Sequence, residues 1–292
     1  MNELTGTGVA LVTPFDRSGH LDEQALSVLV NHQINCGINY LVVMGTTGES
    51  VTLSKKEKER VLSLVLEENQ GRVPVVLGVG GNDTQAVVEA AKSVNADDIA
   101  AVLSVCPMYN KPTQSGLKAH FQAVADASNV PVILYNVPGR TASNLLPKTV
   151  AELSEHPNII GIKEASGDLG QAMEVIGLVS SDFLVISGDD HLALPMTLMG
   201  GKGVISVIGQ AYPSEFSTMI QAGLKGDLSK ALALHYPLLP VIELIFEQGN
   251  PAGIKCLLAE MGLVQNALRL PLVQVDETLA ERIGNFAREF KS

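Results

Sequence analysis

Apolar residues along this chain follow two alternating rhythms. Short unbroken runs rich in Val, Ile and Leu recur at 8–13, 40–45, 73–79, 99–106, 131–137, 158–163, 183–188 and 203–208. Between them lie stretches 22–35, 54–69, 84–95, 115–128, 147–156, 168–180, 190–199 and 213–225. In these, apolar residues return every three or four positions, or a capping signal opens the segment. The runs predict strands and the stretches predict helices. Asp22 and Ser54 occupy N-cap positions, and Ser54 with Glu57 spells a capping box. Each run ends in a cluster of Gly, Pro, Ser, Thr or Asn, where the chain turns.

Eight strand–helix units predict parallel strands, because each crossover contains a helix. The runs do not alternate apolar with polar, as expected of strands covered on both faces. This pattern fits a (β/α)8 TIM barrel over residues 1–225. A doubly wound open sheet is the alternative; against it, no Gly-x-Gly-x-x-Gly follows the first strand, and Gly6-Thr7-Gly8 precedes it. After residue 226 the strands stop. Segments 227–247, 252–262 and 276–290 are helical in period, with breaks at Gly249-Asn250-Pro251 and Arg269-Leu270-Pro271. Pro237 and Pro240 are expected to kink the first. Residues 226–292 therefore read as a C-terminal helical appendage. Leu238, Leu239, Val241, Ile242, Leu244, Ile245 and Phe246 exceed one buried stripe, which fits a subunit contact or a thickly buried helix equally well.

Composition narrows the partners. The chain has 292 residues, 46% hydrophobic, and a formal net charge of -11 with no Lys/Arg-rich run. Nucleic acid and anionic membrane surfaces are not expected partners. Cys36, Cys106 and Cys256 are widely spaced and form no CxxC, which suits a reducing cytosol and a cytoplasmic location. Met1-Asn2-Glu3-Leu4 lacks the basic and apolar regions of a signal peptide. No apolar stretch is read as reaching the ~20 residues that span a bilayer. Asp189, Asp190 and His191 could suggest a metal, but read better as a helix N-terminus in which Asp caps the free N–H groups. No second His/Glu cluster has ligand spacing, so no metal is expected. The six histidines are scattered and spell no catalytic triad.

The residue that best defines candidate chemistry is Lys163, in Asn158-Ile-Ile-Gly-Ile-Lys163-Glu164. A buried ammonium is costly, so burial favours the neutral amine, and a neutral amine in a dry pocket is what Schiff-base chemistry on a ketone requires. The plain alternative is a lysine that snorkels to water or pairs with Glu164. In a parallel barrel, chemistry gathers at the C-terminal ends of the strands. There the second strand carries Gly45-Thr46-Thr47-Gly48-Glu49-Ser50, whose glycines allow a turn that aims N–H groups and hydroxyls at a carboxylate or phosphate. An ordinary glycine-rich turn would look the same. The fourth strand ends in Cys106-Pro107-Met108-Tyr109-Asn110-Lys111-Pro112 and the fifth in Tyr135-Asn136-Val137-Pro138-Gly139-Arg140-Thr141. Tyr135 precedes Lys163 by one βα unit, so the two belong on neighbouring strands at one level, where a phenol can shuttle protons. Arg140 could clamp a second carboxylate, or could simply be a solvated loop arginine.

Together these motifs resemble the dihydrodipicolinate synthase/N-acetylneuraminate lyase family of class I, lysine-dependent aldolases. The resemblance runs from Val12-Thr13-Pro14-Phe15 to the C-terminal helices. It rests on Gly45-Thr46-Thr47-Gly48-Glu49-Ser50, on Tyr135 to Thr141, and on Gly161-Ile162-Lys163-Glu164-Ala165. It implies that Lys163 forms an imine with pyruvate, that Tyr135 relays protons, and that Thr46 links it to Tyr109, which in the family reaches into a neighbouring subunit. It further implies that Thr47 binds the pyruvate carboxylate and that the backbone at Gly188 and Ile205 completes the pocket. Arg140 aligns the chain with members that condense pyruvate with L-aspartate 4-semialdehyde to 4-hydroxy-tetrahydrodipicolinate, the first committed step of lysine and diaminopimelate synthesis. No metal or organic cofactor is implied. A homo-oligomer, dimer or dimer of dimers, is. The family's lysine-inhibited members have an allosteric cleft at the dimer interface; Lys55, Lys58 and Met108 match positions in it, and like charge there predicts weak or absent inhibition. Two rivals remain: a sister lyase acting on keto-deoxy sugar acids, which would not need Arg140, and a non-catalytic barrel that binds a metabolite.

Overall fold

A computed structural model describes residues 2–290 of the chain. Eight strands, β1 (Gly6–Ala10), β2 (Tyr40–Val43), β3 (Val75–Gly78), β4 (Ala101–Val105), β5 (Val132–Asn136), β6 (Ile159–Glu164), β7 (Leu184–Ser187) and β8 (Gly203–Ser206), pair in parallel in chain order. β8 returns to β1, with Gly8 opposite Ile205, so the sheet closes into a TIM barrel. The helices between strands are α1 (Glu23–Asn35), α2 (Lys55–Asn69), α3 (Thr84–Lys92), α4 (Gln114–Ala127), the short α5 (Pro138–Thr141), α6 (Pro147–Ser154), α7 (Leu169–Leu178) and α8 (Ala193–Leu198). After β8 follow α9 (Pro213–Leu224), α10 (Leu228–Glu247), α11 (Ala252–Glu260) and α12 (Glu277–Glu289). Asp22 caps α1 by accepting from Ala25 N, and the Ser54–Glu57 capping box opens α2 as its spelling predicts.

Alternation along each strand divides the apolar side chains into two cores. Ala10, Tyr40, Val42, Leu103, Ile133, Ile186 and Ile205 fill the barrel interior. A larger core, with Val9, Leu41, Val43, Val102, Leu134 and Ile162, lies between the sheet and the helices. This two-sided burial explains why the strands read as continuous apolar runs.

Two expectations need correction. The first strand starts at Gly6 and ends at Ala10, whereas the apolar run predicts 8–13. Gly6-Thr7-Gly8 is strand, not a turn before it, and a Cβ on Gly8 would overlap the Tyr40 ring. Helix α10 continues as helix through Pro237 and Pro240, the two positions expected to kink it. Each proline lacks the N–H that would bond the carbonyl four residues back, at Ala233 or Tyr236; all four residues are exposed, where water can satisfy those carbonyls. Finally, α10 has the length and apolar composition that could cross a bilayer, which no stretch was expected to have. Its apolar excess is buried within the chain: Leu238, Val241, Ile242, Leu244 and Ile245 are buried and Leu239 and Phe246 half-buried, with α10 packed on α9, α11 and α12.

Candidate active site

Lys163 and Tyr135 face each other directly across β6 and β5. Both side chains point into the barrel near its C-terminal mouth, 5% and 7% exposed, and the Lys163 Nζ lies 4.3 Å from the Tyr135 ring centroid. Lys163 forms no ion pair among the described residues. The pairing with Glu164 considered from sequence is absent for a simple reason: consecutive strand residues point to opposite faces. Glu164 faces the helices, where it accepts from Ser166 N (2.7 Å), Asn136 Nδ2 (3.1 Å) and Gln171 Nε2 (3.1 Å). Asn136 and Glu164 thus tie β5 to β6 behind the barrel wall, at the level of the Tyr135–Lys163 pair.

Gly188, just past β7, makes room for the lysine. A Cβ there would stand 2.8 Å from Lys163 Cε and 2.6 Å from Ala165 Cβ. Ile205 lies on β8, fully buried in the barrel interior below the mouth.

The loop after β2 winds Thr46–Gly48 into one 3-10 turn, between Met44 (φ 62°) and Glu49 (φ 50°), both left-handed. Further non-glycine residues with positive φ, Tyr109 (φ 68°), Lys111 (φ 49°) and Ala142 (φ 56°), lie in the mouth loops after β4 and β5. Such strain persists where the surroundings enforce it, often at functional sites. Thr47 is buried and its hydroxyl accepts from Asn250 Nδ2 at 2.9 Å. The Asn250 carbonyl in turn accepts from Arg140 Nη2 at 3.3 Å, so one residue of the C-terminal region touches both predicted carboxylate binders. Thr46 is exposed and lines, with Tyr135, Arg140 and Met108, a cleft of about 910 Å³ that opens from the mouth toward α2 and α3. Tyr109 stands apart. It is 90% exposed, and its N–H donates to Thr141 O at 3.4 Å.

The structure therefore brings Lys163, Tyr135 and Gly188 into contact, gathers Thr46, Tyr135 and Arg140 on one cleft, and leaves Tyr109 outside. Asn250 and the buried pair Glu49–Lys255 were missed from sequence. The single available signal, the Gly249-Asn250-Pro251 break, read only as a turn. Asp190 was misread. It does not cap α8, whose N-cap is Leu192 without a side-chain bond. Instead the carboxylate, fully buried, accepts from Ser206 Oγ (2.6 Å), Ile208 N (2.8 Å) and Val207 N (3.1 Å), and so joins the loops after β7 and β8. Burial pushes its carboxyl up, against those hydrogen bonds. His191 is pushed up by its hydrogen bond with Asp189. Among the described residues no three of His, Cys, Asp or Glu converge as metal ligands would.

Comparison with known proteins agrees with this geometry. The model of the dihydrodipicolinate synthetase family matches residues 3–289. A 4-hydroxy-tetrahydrodipicolinate synthase from Flavobacterium psychrophilum is 55% identical over 290 residues, covering 99% of each chain. The chloride-inhibited dihydrodipicolinate synthase from Acinetobacter baumannii, solved in complex with pyruvate, superposes with a TM-score of 0.95 at 37% identity, over 98% of both chains. A structure described as the first monomeric dihydrodipicolinate synthase variant gives a TM-score of 0.95 at 38% identity, over 98% of this chain and 97% of that one. The barrel, the opposed lysine and tyrosine, and full-length similarity at this level establish that the chain belongs to the dihydrodipicolinate synthetase family.

Proposed function

We propose that this chain condenses pyruvate with L-aspartate 4-semialdehyde through an imine at Lys163, giving 4-hydroxy-tetrahydrodipicolinate and one water, the first committed step of lysine and diaminopimelate synthesis. The observation that carries this reading is a buried lysine at the barrel mouth, set against a tyrosine ring and given space by Gly188. The Lys163 amine attacks the pyruvate ketone and water leaves. Loss of a methyl proton then gives an enamine, with the lysine nitrogen as electron sink. The enamine carbon adds to the aldehyde. The amino group of the second substrate displaces Lys163 from the imine carbon, which closes the ring and frees the enzyme.

In this scheme Tyr135 moves protons at the imine, with Thr46 and Tyr109 as relay partners, while Thr47 and the backbone at Gly188 and Ile205 hold pyruvate. Arg140 holds the carboxylate of the semialdehyde. No cofactor or metal enters the scheme. Residues 1–225 serve as the catalytic barrel and 226–292 as the helical region, with 1, 291 and 292 outside the described residues. Tyr109 at 90% and Val51 at 89% exposure support a homo-oligomer, a dimer or dimer of dimers, in which Tyr109 completes a neighbour's site. The relative described as a monomeric variant means that the fold does not itself require this assembly. The three free cysteines support a cytoplasmic location. Lys55, Lys58 and Met108 line the outer cleft together with Glu59 and Asp98; weak or absent inhibition by lysine then rests on Lys58, since Lys55 pairs with Glu59 at 4.0 Å, and potent inhibition below millimolar lysine would contradict it.

The discriminating experiment is Arg140→Ala. We expect pyruvate imine formation within about threefold of the parent, and a rise of ~10²-fold or more in the KM for the semialdehyde, since losing a charge-assisted bidentate contact costs ~2–3 kcal/mol. A sister sugar-acid lyase would keep its activity in this variant, and a non-catalytic barrel would form no imine at all.

A further inference from the structure

Lys255 on α11 enters the core beneath the loop after β2. Its side chain and that of Glu49 are both 0% exposed. Nζ donates to Glu49 Oε1 and to Ala267 O (2.9 Å), and sits 4.2 Å from the Phe15 ring centroid. The other Glu49 oxygen accepts from Arg269 N at 3.1 Å. Arg269 also packs on Phe15, 4.3 Å from the centroid, and its guanidinium donates to Gly19 O (2.9 Å), Thr52 O (3.1 Å) and Glu57. Glu49 and its two partners, Lys255 and Arg269, together join four separate parts of the chain: the loops after β1 and β2, the start of α2, and the segment from α11 to Arg269.

Stability alone gives a poor reason for such a pair. Desolvating two charges often outweighs their attraction, and well-packed apolar replacements of buried ion pairs are often neutral or stabilising. Burial pushes the Lys255 ammonium down to about 8 even beside Glu49, which marks the charge as held there at a cost. The best-attested return on a buried ion pair is a fixed register. Here the element in need of register is plain. Thr46 and Thr47 sit in one 3-10 turn outside the sheet, and Glu49, next but one to Thr47, is held in the left-handed region. Glu49 N donates to Thr46 O at 3.1 Å, so a shift of Glu49 shifts both threonines. Asn250, five residues before Lys255, holds the Thr47 hydroxyl from the same side.

We infer that the Glu49–Lys255 pair is a positioning device through which the C-terminal helices set Thr46 and Thr47 for pyruvate. Neither residue touches the reacting atoms, and the inference rests on the reading of Thr47 as the pyruvate carboxylate anchor.

The test uses the full chain in three forms: parent, Lys255→Met, and the double variant Glu49→Gln with Lys255→Met. The double variant leaves no lone buried charge, so it separates positioning from folding. The readout is the pyruvate concentration that half-saturates borohydride trapping at Lys163, followed by mass, alongside the unfolding midpoint. We expect the double variant to fold with a midpoint near the parent's. Its half-saturating pyruvate should still rise by about tenfold, with the saturated trapping rate changed less than about twofold, as for a displaced binding group. Recovery of both midpoint and pyruvate dependence in the double variant would overturn the inference. So would unfolding of both variants, which would make the pair structural. Absence of trapping in the parent would instead overturn the imine reading itself.

Discussion

Gly188→Ala is the smallest change that should disable the proposed site. The added methyl would stand 2.6 Å from Ala165 Cβ, 2.8 Å from Lys163 Cε and 3.1 Å from Lys163 Cγ. Carbon atoms prefer about 3.5–4.0 Å, so the overlap is roughly 1 Å along the lysine stem. If Lys163 yields, its Nζ leaves its present place 4.3 Å from the Tyr135 ring centroid. Overpacking of this kind costs ~1–3 kcal/mol of stability. A displacement of about 1 Å at the reacting group can cost ~10²-fold in rate, or about 2.7 kcal/mol of barrier. We expect kcat/KM for pyruvate to fall about 100-fold while the protein stays folded, with the unfolding midpoint lower by several degrees. Two assays read this: borohydride trapping of pyruvate, and turnover coupled to a reductase that consumes NADPH. Gly177→Ala on α7 is the control. Nothing lies within 4 Å of its added Cβ, and activity should not change. A folded Gly188→Ala protein that traps pyruvate within about threefold of the parent would refute the steric reasoning.

Two further outcomes concern the frame around the site. Asp190→Ala removes the acceptor shared by Ser206 Oγ, Val207 N and Ile208 N. Each buried donor left unpaired costs ~1–3 kcal/mol, so denaturant unfolding should show a loss of about 3–5 kcal/mol, and under 1 kcal/mol would contradict the role. The hydrogen bond from Arg269 draws the Glu57 carboxyl down to about 2 from 4.5. A lowered folded pKa contributes stability that is present above pH 4.5 and is lost as pH falls toward 2. The midpoint difference between parent and Glu57→Gln should therefore be largest near pH 6 and shrink below pH 4.5; a gap constant with pH would rule the linkage out.

The barrel was legible because its signal is local. Strands buried on both faces must be apolar without alternation, and turn residues mark their ends, so all eight runs overlap the observed strands. The first strand shifted because the apolar run 9–12 continues past the last paired residue, Ala10, while Gly6 and Thr7 before it carry no apolar signal. In the barrel Gly8 is strand because the Tyr40 ring occupies the space a side chain would take. The opposition of Tyr135 and Lys163 was also legible, since one βα unit fixes neighbouring strands and the period of two fixes the face. Asp190 was not. An acidic residue before a helix looks like a cap, and only the closed barrel brings the loop after β8 within its reach. Asn250 and Lys255 were invisible for the same reason: their partners Thr47 and Glu49 lie 203 and 206 residues away in the chain. Contacts that fold closure creates between distant segments leave no periodicity to read.

The central claim is that Lys163 is the imine-forming residue of a pyruvate-condensing enzyme. Incubation with pyruvate and borohydride, read by peptide mass and run beside coupled turnover with L-aspartate 4-semialdehyde, tests it most directly. The account predicts a single reduced pyruvate adduct on Lys163, with adduct and turnover both lost in Lys163→Ala. An adduct on another lysine, or turnover that survives Lys163→Ala, would contradict it.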